Sequence, residues 1–176
     1  MKQSIKNRRE RKICVIVETV DNPKGLAFVM HGLGGYKEQP HIRSFIESFL
    51  EENFNVISFD TTNTFGESDG LYEDATVTNY YEDLEVVIEW SKKQEFYSEP
   101  FFLAGHSLGG ICITLYAQKK PNKIKGLAPI STVVSGKLSL KTPKSSEWKK
   151  WKETGWNIKE SSSKPVFIKK IEMVAL

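Results

Sequence analysis

The pentapeptide Gly105-His106-Ser107-Leu108-Gly109 is where this sequence concentrates its chemistry. It stands between an apolar run, Phe101 to Ala104, and a stretch with helical spacing, Ile111, Cys112, Leu115 and Tyr116. In a G-x-S-x-G turn from strand to helix, the serine adopts a strained backbone that pushes its hydroxyl beyond the end of the sheet, and the glycines leave room for the crossing chain. A helix starting near Leu108 adds free N–H groups and a positive dipole end, which suit a developing oxyanion. The plainer alternative is a glycine-rich turn whose serine only caps the helix.

His31-Gly32-Leu33-Gly34-Gly35 follows a second apolar run, Leu26 to Met30. An oxyanion hole needs two donors, and this loop suits the second, with the Leu33 N–H as candidate beside that of Leu108. Its glycines let backbone approach a substrate carbonyl closely. A phosphate-binding role does not fit, because neither G-x-x-x-x-G-K-[ST] nor G-x-G-x-x-G occurs. No metal or organic cofactor is implied. Cys14 and Cys112 fall inside apolar runs and read as two reduced, buried thiols.

A serine hydroxyl is a weak nucleophile near neutral pH and needs a histidine base oriented by a carboxylate. After Ser107 the chain has no aspartate and no histidine, and its carboxylates there are Glu147, Glu153, Glu160 and Glu172. No triad acid or base is found. None of the three histidines has a strong claim to substitute. His31 belongs to the glycine loop in a structural role, His41 opens a helix on an exposed turn, and His106 should point away from its neighbour Ser107.

The elements that must position these groups follow from hydrophobic periodicity. Lys12 to Val20, Leu26 to Met30, Asn55 to Phe59, Phe101 to Ala104 and Ile124 to Ile130 read as strands. Ile42, Phe45, Ile46, Phe49 and Leu50 mark one helix, Tyr80, Leu84, Val87 and Ile88 another, and the stretch after Ser107 a third. Alternating strands and helices with short connections predict an α/β, doubly wound, mostly parallel sheet, whose sites form beyond the carboxyl ends of strands. The loops at 31, 60 and 105 all lie there.

The two glycine loops, in this order on this alternation, resemble the α/β-hydrolase family, in particular its lysophospholipase-like and serine-aminopeptidase-like members. The resemblance covers about residues 10 to 135. Asp60 through Gly66-Glu67-Ser68-Asp69-Gly70 is also similar to that family's D-x-R-G-x-G-x-S segment, without the arginine and first glycine and with one residue added. The resemblance implies Ser107 as nucleophile, Leu33 and Leu108 as oxyanion donors, and His31, Gly32, Gly34, Gly105, His106 and Gly109 as supporting residues. The implied reaction is acyl transfer to water from an ester, thioester or amide. It also implies about two further strands and helices carrying the acid and base, so the fold is expected to be incomplete at its C-terminus and activity impaired. A non-catalytic binding module, or a fragment that needs a partner chain, is the rival reading.

Residues 1–130 are thus expected to form the N-terminal part of the core, 131–165 a cap or lid, and 166–176 a tail. The lid would be lysine- and serine-rich and would bring Trp148, Trp151 and Trp156 over an apolar acyl substrate. At 176 residues the chain has room for one domain. Its charge is uneven: residues 1–135 carry 15 basic and 18 acidic side chains, whereas residues 136–176 carry 10 lysines and 4 glutamates. Lysine without arginine is a poor nucleic-acid signature. No apolar run approaches the roughly 20 residues of a membrane span. The basic N-terminus is followed by too short an apolar stretch for a signal peptide, which makes the cytoplasm the expected location. An unfinished sheet would leave an open edge for self-association or a partner chain.

Overall fold

In the computed structural model, residues 1–135, 145–160 and 168–172 are described. Six strands form one sheet: β1 (Lys2–Lys6), β2 (Lys12–Glu18), β3 (Leu26–Met30), β4 (Asn55–Phe59), β5 (Phe101–His106) and β6 (Ile124–Ile130). Their spatial order is β1-β2-β4-β3-β5-β6. β4, β3, β5 and β6 are parallel, and β2 and β1 add an antiparallel edge. The doubly wound, mostly parallel expectation holds.

Strands β3 and β4 are buried at every position, as continuous apolar runs flanked by helices on both faces require. On one face Phe28, Met30, Ile57 and Phe59 pack with Tyr80, Leu84, Val87, Cys112 and Ile113. These last come from α2 (Val77–Ser91) and α3 (Leu108–Lys119). On the other, Val29, Val56 and Ala104 pack with Ile42 and Ile46 of α1 (Pro40–Glu51). Pro40 starts α1, where its missing N–H costs nothing, and the Thr76 hydroxyl caps α2 by accepting from Asn79 N–H at 3.1 Å. Both cysteines are free and buried.

β6 has a different environment. Its outer edge is unpaired among the described residues, and only three of its seven positions are even partly covered. Leu127 within it is exposed, as are Val133 and Val134 just beyond it.

Several elements escaped the sequence reading. β1 pairs with β2 from Lys2↔Ile16 to Lys6↔Lys12, where composition suggested only a basic terminus. Further on, β7 (Trp156–Glu160) and β8 (Ile168–Glu172) pair antiparallel, following α4 (Ser145–Thr154), and β8 lies against the short helical turn Tyr72–Asp74. Trp151 is half-buried and Trp156 exposed, while the Trp148 side chain lies outside what is described. Among the described residues no helix is long and apolar enough to cross a membrane.

Candidate active site

β5 runs directly into α3 with one residue between them, and that residue is Ser107. Its φ of 52° and ψ of −113° lie in a region costly for a residue with a β-carbon. The Ser107 N–H donates to Ile130 O at 2.8 Å, which ties the turn to the end of β6. Relieving the strain should stabilise the fold. Ser107→Gly is expected to unfold at higher denaturant than Ser107→Ala, by about 1 kcal/mol, a difference that guanidinium titration of the two variants reads directly.

The glycines around Ser107 stand where backbone meets backbone. A β-carbon on Gly105 would lie 2.7 Å from the Gly109 carbonyl, and one on Gly109 would lie 2.5 Å from His31 O. One on Gly32 would lie 3.0 Å from the Ser107 β-carbon and 3.1 Å from His106 O. The loop after β3 is therefore packed tightly on the serine turn. Gly110 faces the Thr132 side chain, whose buried hydroxyl has no hydrogen-bond partner among the described residues.

Within the loop after β3, nearly every group is engaged. His31 is fully buried. Its Nδ1 is 2.7 Å from Gly32 O and its Nε2 is 3.1 Å from Thr61 N, so the neutral ring carries its proton on Nδ1 and accepts at Nε2. The Gly35 N–H closes on Gly32 O at 3.0 Å, and the Thr64 hydroxyl donates to Gly35 O. The Gly34 N–H points at the Tyr80 hydroxyl at 3.4 Å. The Leu33 N–H, by contrast, has no acceptor among the described residues. Leu108 opens α3, and a first-turn N–H has no partner within its own helix.

Burial pushes the His31 imidazole below its ordinary value, despite the attraction of the nearby Asp60 carboxylate. The unfolded chain therefore binds a proton that the folded chain refuses. Stability from this group is present above about pH 6.5 and is lost as pH falls below it. Proton NMR should show the His31 ring titrating below the ordinary histidine range, while the melting temperature declines as pH falls below about 6.5.

His106 behaves as its position on β5 dictates. Its ring lies 4.6 Å from that of His41 at a tilt of 60°, and neither ring is hydrogen-bonded to Ser107 among the described residues. Burial, then the neighbouring His41, lowers the His106 imidazole.

A second cluster went unread in the sequence. Lys37, 1% exposed, donates to fully buried Asp60 at 2.8 Å and to Glu67 at 2.7 Å through its ammonium, and its backbone N–H donates to the other Asp60 oxygen at 2.8 Å. Glu67 N–H adds a third donor to that carboxylate at 2.8 Å. The cation beside the buried Asp60 carboxylate comes from the loop after β3. Burial opposes the Lys37 charge, but the bonds to Asp60 and Glu67 outweigh it and raise its pKa. Hydrogen bonds from Lys2 and Lys37 hold Glu67 down to about 2. Cys14, Asp60 and Glu67 bring potential metal-binding atoms within 4.8 Å of one another, but the Lys37 ammonium already stands against both carboxylates. Nothing in the type or spacing of Lys37 announced its burial. Asp60, at a strand end, was the one available signal.

The family described as serine aminopeptidase, S33, matches residues 21–169. This chain belongs to that family. The S33-family chain finds no match among curated proteins. Its fold is that of solved α/β hydrolases. Est1E from Butyrivibrio proteoclasticus with ferulic acid bound superposes with a TM-score of 0.68 at 28% identity, over 74% of this chain and 52% of that one. A putative hydrolase from Agrobacterium vitis S4 gives 0.73 at 18% identity, over 97% and 68%. Alpha/beta hydrolase domain-containing protein 10 from mouse gives 0.65 at 19%, over 89% and 60%. The chain spans about half the length of the two Est1E structures it matches, 52% and 51%.

Proposed function

We propose that this S33-family chain carries the nucleophile and oxyanion hole of a serine hydrolase acting on ester, thioester or amide bonds. Ser107 attacks the carbonyl to form an acyl-enzyme, and the N–H groups of Leu33 and Leu108 hold the oxyanion. His31, Gly32, Gly34, Gly105, His106 and Gly109 shape the two loops. The observation that carries this reading is the strained Ser107 backbone at the β5–α3 junction with Gly32 packed against it. The Leu33 N–H, left over where its neighbours are engaged, supports the donor assignment. An apolar or aromatic acyl group is the substrate this reading favours; the lid expected over 131–165 lies partly outside the described residues, and Est1E, the 28% identical relative, holds ferulic acid. No cofactor enters this chemistry.

No aspartate or histidine follows Ser107 in this sequence, so no triad base or acid is assigned among its residues. Binding and an oxyanion hole alone leave a small residue of the catalysis that a full triad provides. A fluorophosphonate probe should therefore label the wild-type chain and not Ser107→Ala, with turnover of a short-chain aryl ester lower by orders of magnitude than a complete triad gives. An unlabelled wild-type chain would sink the reading.

The outer edge of β6, unpaired among the described residues, supports a second reading, in which the chain acts as a fragment that associates with a partner chain or with itself. Exposed Leu127, Val133 and Val134 extend that edge as an apolar strip. Light scattering across a concentration series should then give a mass above 20.1 kDa, reduced by Leu127→Lys. A concentration-independent monomer would remove the self-association arm.

A further inference from the structure

We infer that Lys37 is a positioning residue that pins the loop after β3 against the serine turn; this rests on the reading of Leu33 as an oxyanion donor. Strands β3 and β4 are already in register up to Met30↔Phe59, so the ladder fixes where the strands end. It does not fix the direction taken by the chain beyond Met30. Contacts to the segment beginning at Asp60 help set that direction: Thr61 to His31, Thr64 to Gly35, and Asp60 to Lys37, beside the contact of Gly34 with Tyr80.

The Lys37–Asp60 contact differs from the other two. One carboxylate grips the same residue at both ends, by its backbone N–H at 2.8 Å and its ammonium at 2.8 Å, so the loop cannot swing without breaking both bonds. The ammonium also reaches Glu67 at 2.7 Å and Glu38 at 3.3 Å. A buried charge of this kind opens reluctantly, because opening it halfway strands a charge without water or partner. The requirement for such a pin is visible on the loop's other side. There Gly32 lies against Ser107 with little room for a β-carbon, and His31 O lies where Gly109 must have none. A donor on this loop keeps its place relative to Ser107 only while the loop stays down.

Amide hydrogen exchange on the full chain tests this without recourse to Ser107 reactivity. Lys37→Met alone leaves Asp60 charged and buried, so the informative variant is Lys37→Met/Asp60→Asn, which removes both charges and keeps the carbonyl that accepts from the backbone. In this double variant, exchange across residues 31–37 should rise at least tenfold while β3 and β4 keep their protection. Lys37→Arg should retain most of the loop's protection. Loop exchange as slow as wild type in the double variant would overturn the proposal. So would opening of 31–37 only together with β3 and β4, which would make Lys37 a residue of global stability. Probe labelling then separates the two readings: where the wild type labels, the double variant should label at least tenfold more slowly at saturating probe. A wild type that does not label overturns the serine-hydrolase reading and leaves the exchange result standing.

Discussion

Gly109→Ala is expected to destabilise the chain by about 3 kcal/mol and to abolish probe labelling in whatever remains folded. The added methyl group would lie 2.5 Å from His31 O, 2.8 Å from Met30 O and 3.1 Å from Met30 Cγ. Two of these are backbone atoms at the end of β3, a strand held between β4 and β5 on both sides. They have nowhere to go. The helix must lift or the loop after β3 must move, and either change separates Leu33 from Leu108. Guanidinium unfolding should show the loss as a lowered midpoint with an unchanged slope. Gly155→Ala is the contrasting case. Its methyl group would meet nothing within 4 Å, which leaves only the positive φ of 73° as a cost, about 1 kcal/mol. Equal losses in the two variants would mean that the contact between α3 and β3 is looser in solution than these distances require.

The serine turn was legible because its constraint is local. Gly105 stands where β5 meets α3 and Gly109 where α3 meets the end of β3, each too close for a β-carbon, and a single window of sequence carries both. The central strands were legible for a related reason: burial on both faces leaves Leu26–Met30 and Asn55–Phe59 with no alternation to confuse them. β1 failed that test. It is an edge strand whose residues are exposed or half-buried in turn, and it is held by its ladder to β2 and an ion pair from Lys2 to Glu67. Neither has a hydropathy signature.

Lys37 marks a deeper limit. Lysine is almost never buried unpaired, and its partner Asp60 lies 23 residues away, so only the folded loops reveal the pair. The neighbouring rings of His41 and His106 likewise follow from the approach of α1 to β5, which no spacing encodes. The position of Ser107 could thus be read from one window, whereas what holds the opposite loop in place is distributed over three segments.

The second large effect follows from that distribution. Asp60→Ala should cost about 3–5 kcal/mol, because it leaves the Lys37 ammonium buried with one partner removed. Asp60 is fully buried and accepts three hydrogen bonds, from the Lys37 ammonium, the Lys37 N–H and the Glu67 N–H. Glu67 contacts the same ammonium, yet its side chain is 47% exposed, and water can replace much of what it supplies. Glu67→Gln should therefore cost less than about 1 kcal/mol. Because its pKa is held down to about 2, that small contribution is present above the ordinary glutamate range and is lost as pH falls toward 2. Salt discriminates between the two variants. Raising ionic strength from 0.05 to about 1 M shortens the screening length to roughly 3 Å, which should erase most of the Glu67→Gln difference and leave that of Asp60→Ala nearly intact. Unfolding curves for both variants at the two salt concentrations measure this. If the Asp60→Ala loss shrank with salt as much as the Glu67→Gln loss, the Lys37 ammonium would be solvated in solution, and the loop after β3 would depend for its position on its other contacts, those of His31, Gly34 and Gly35 among them.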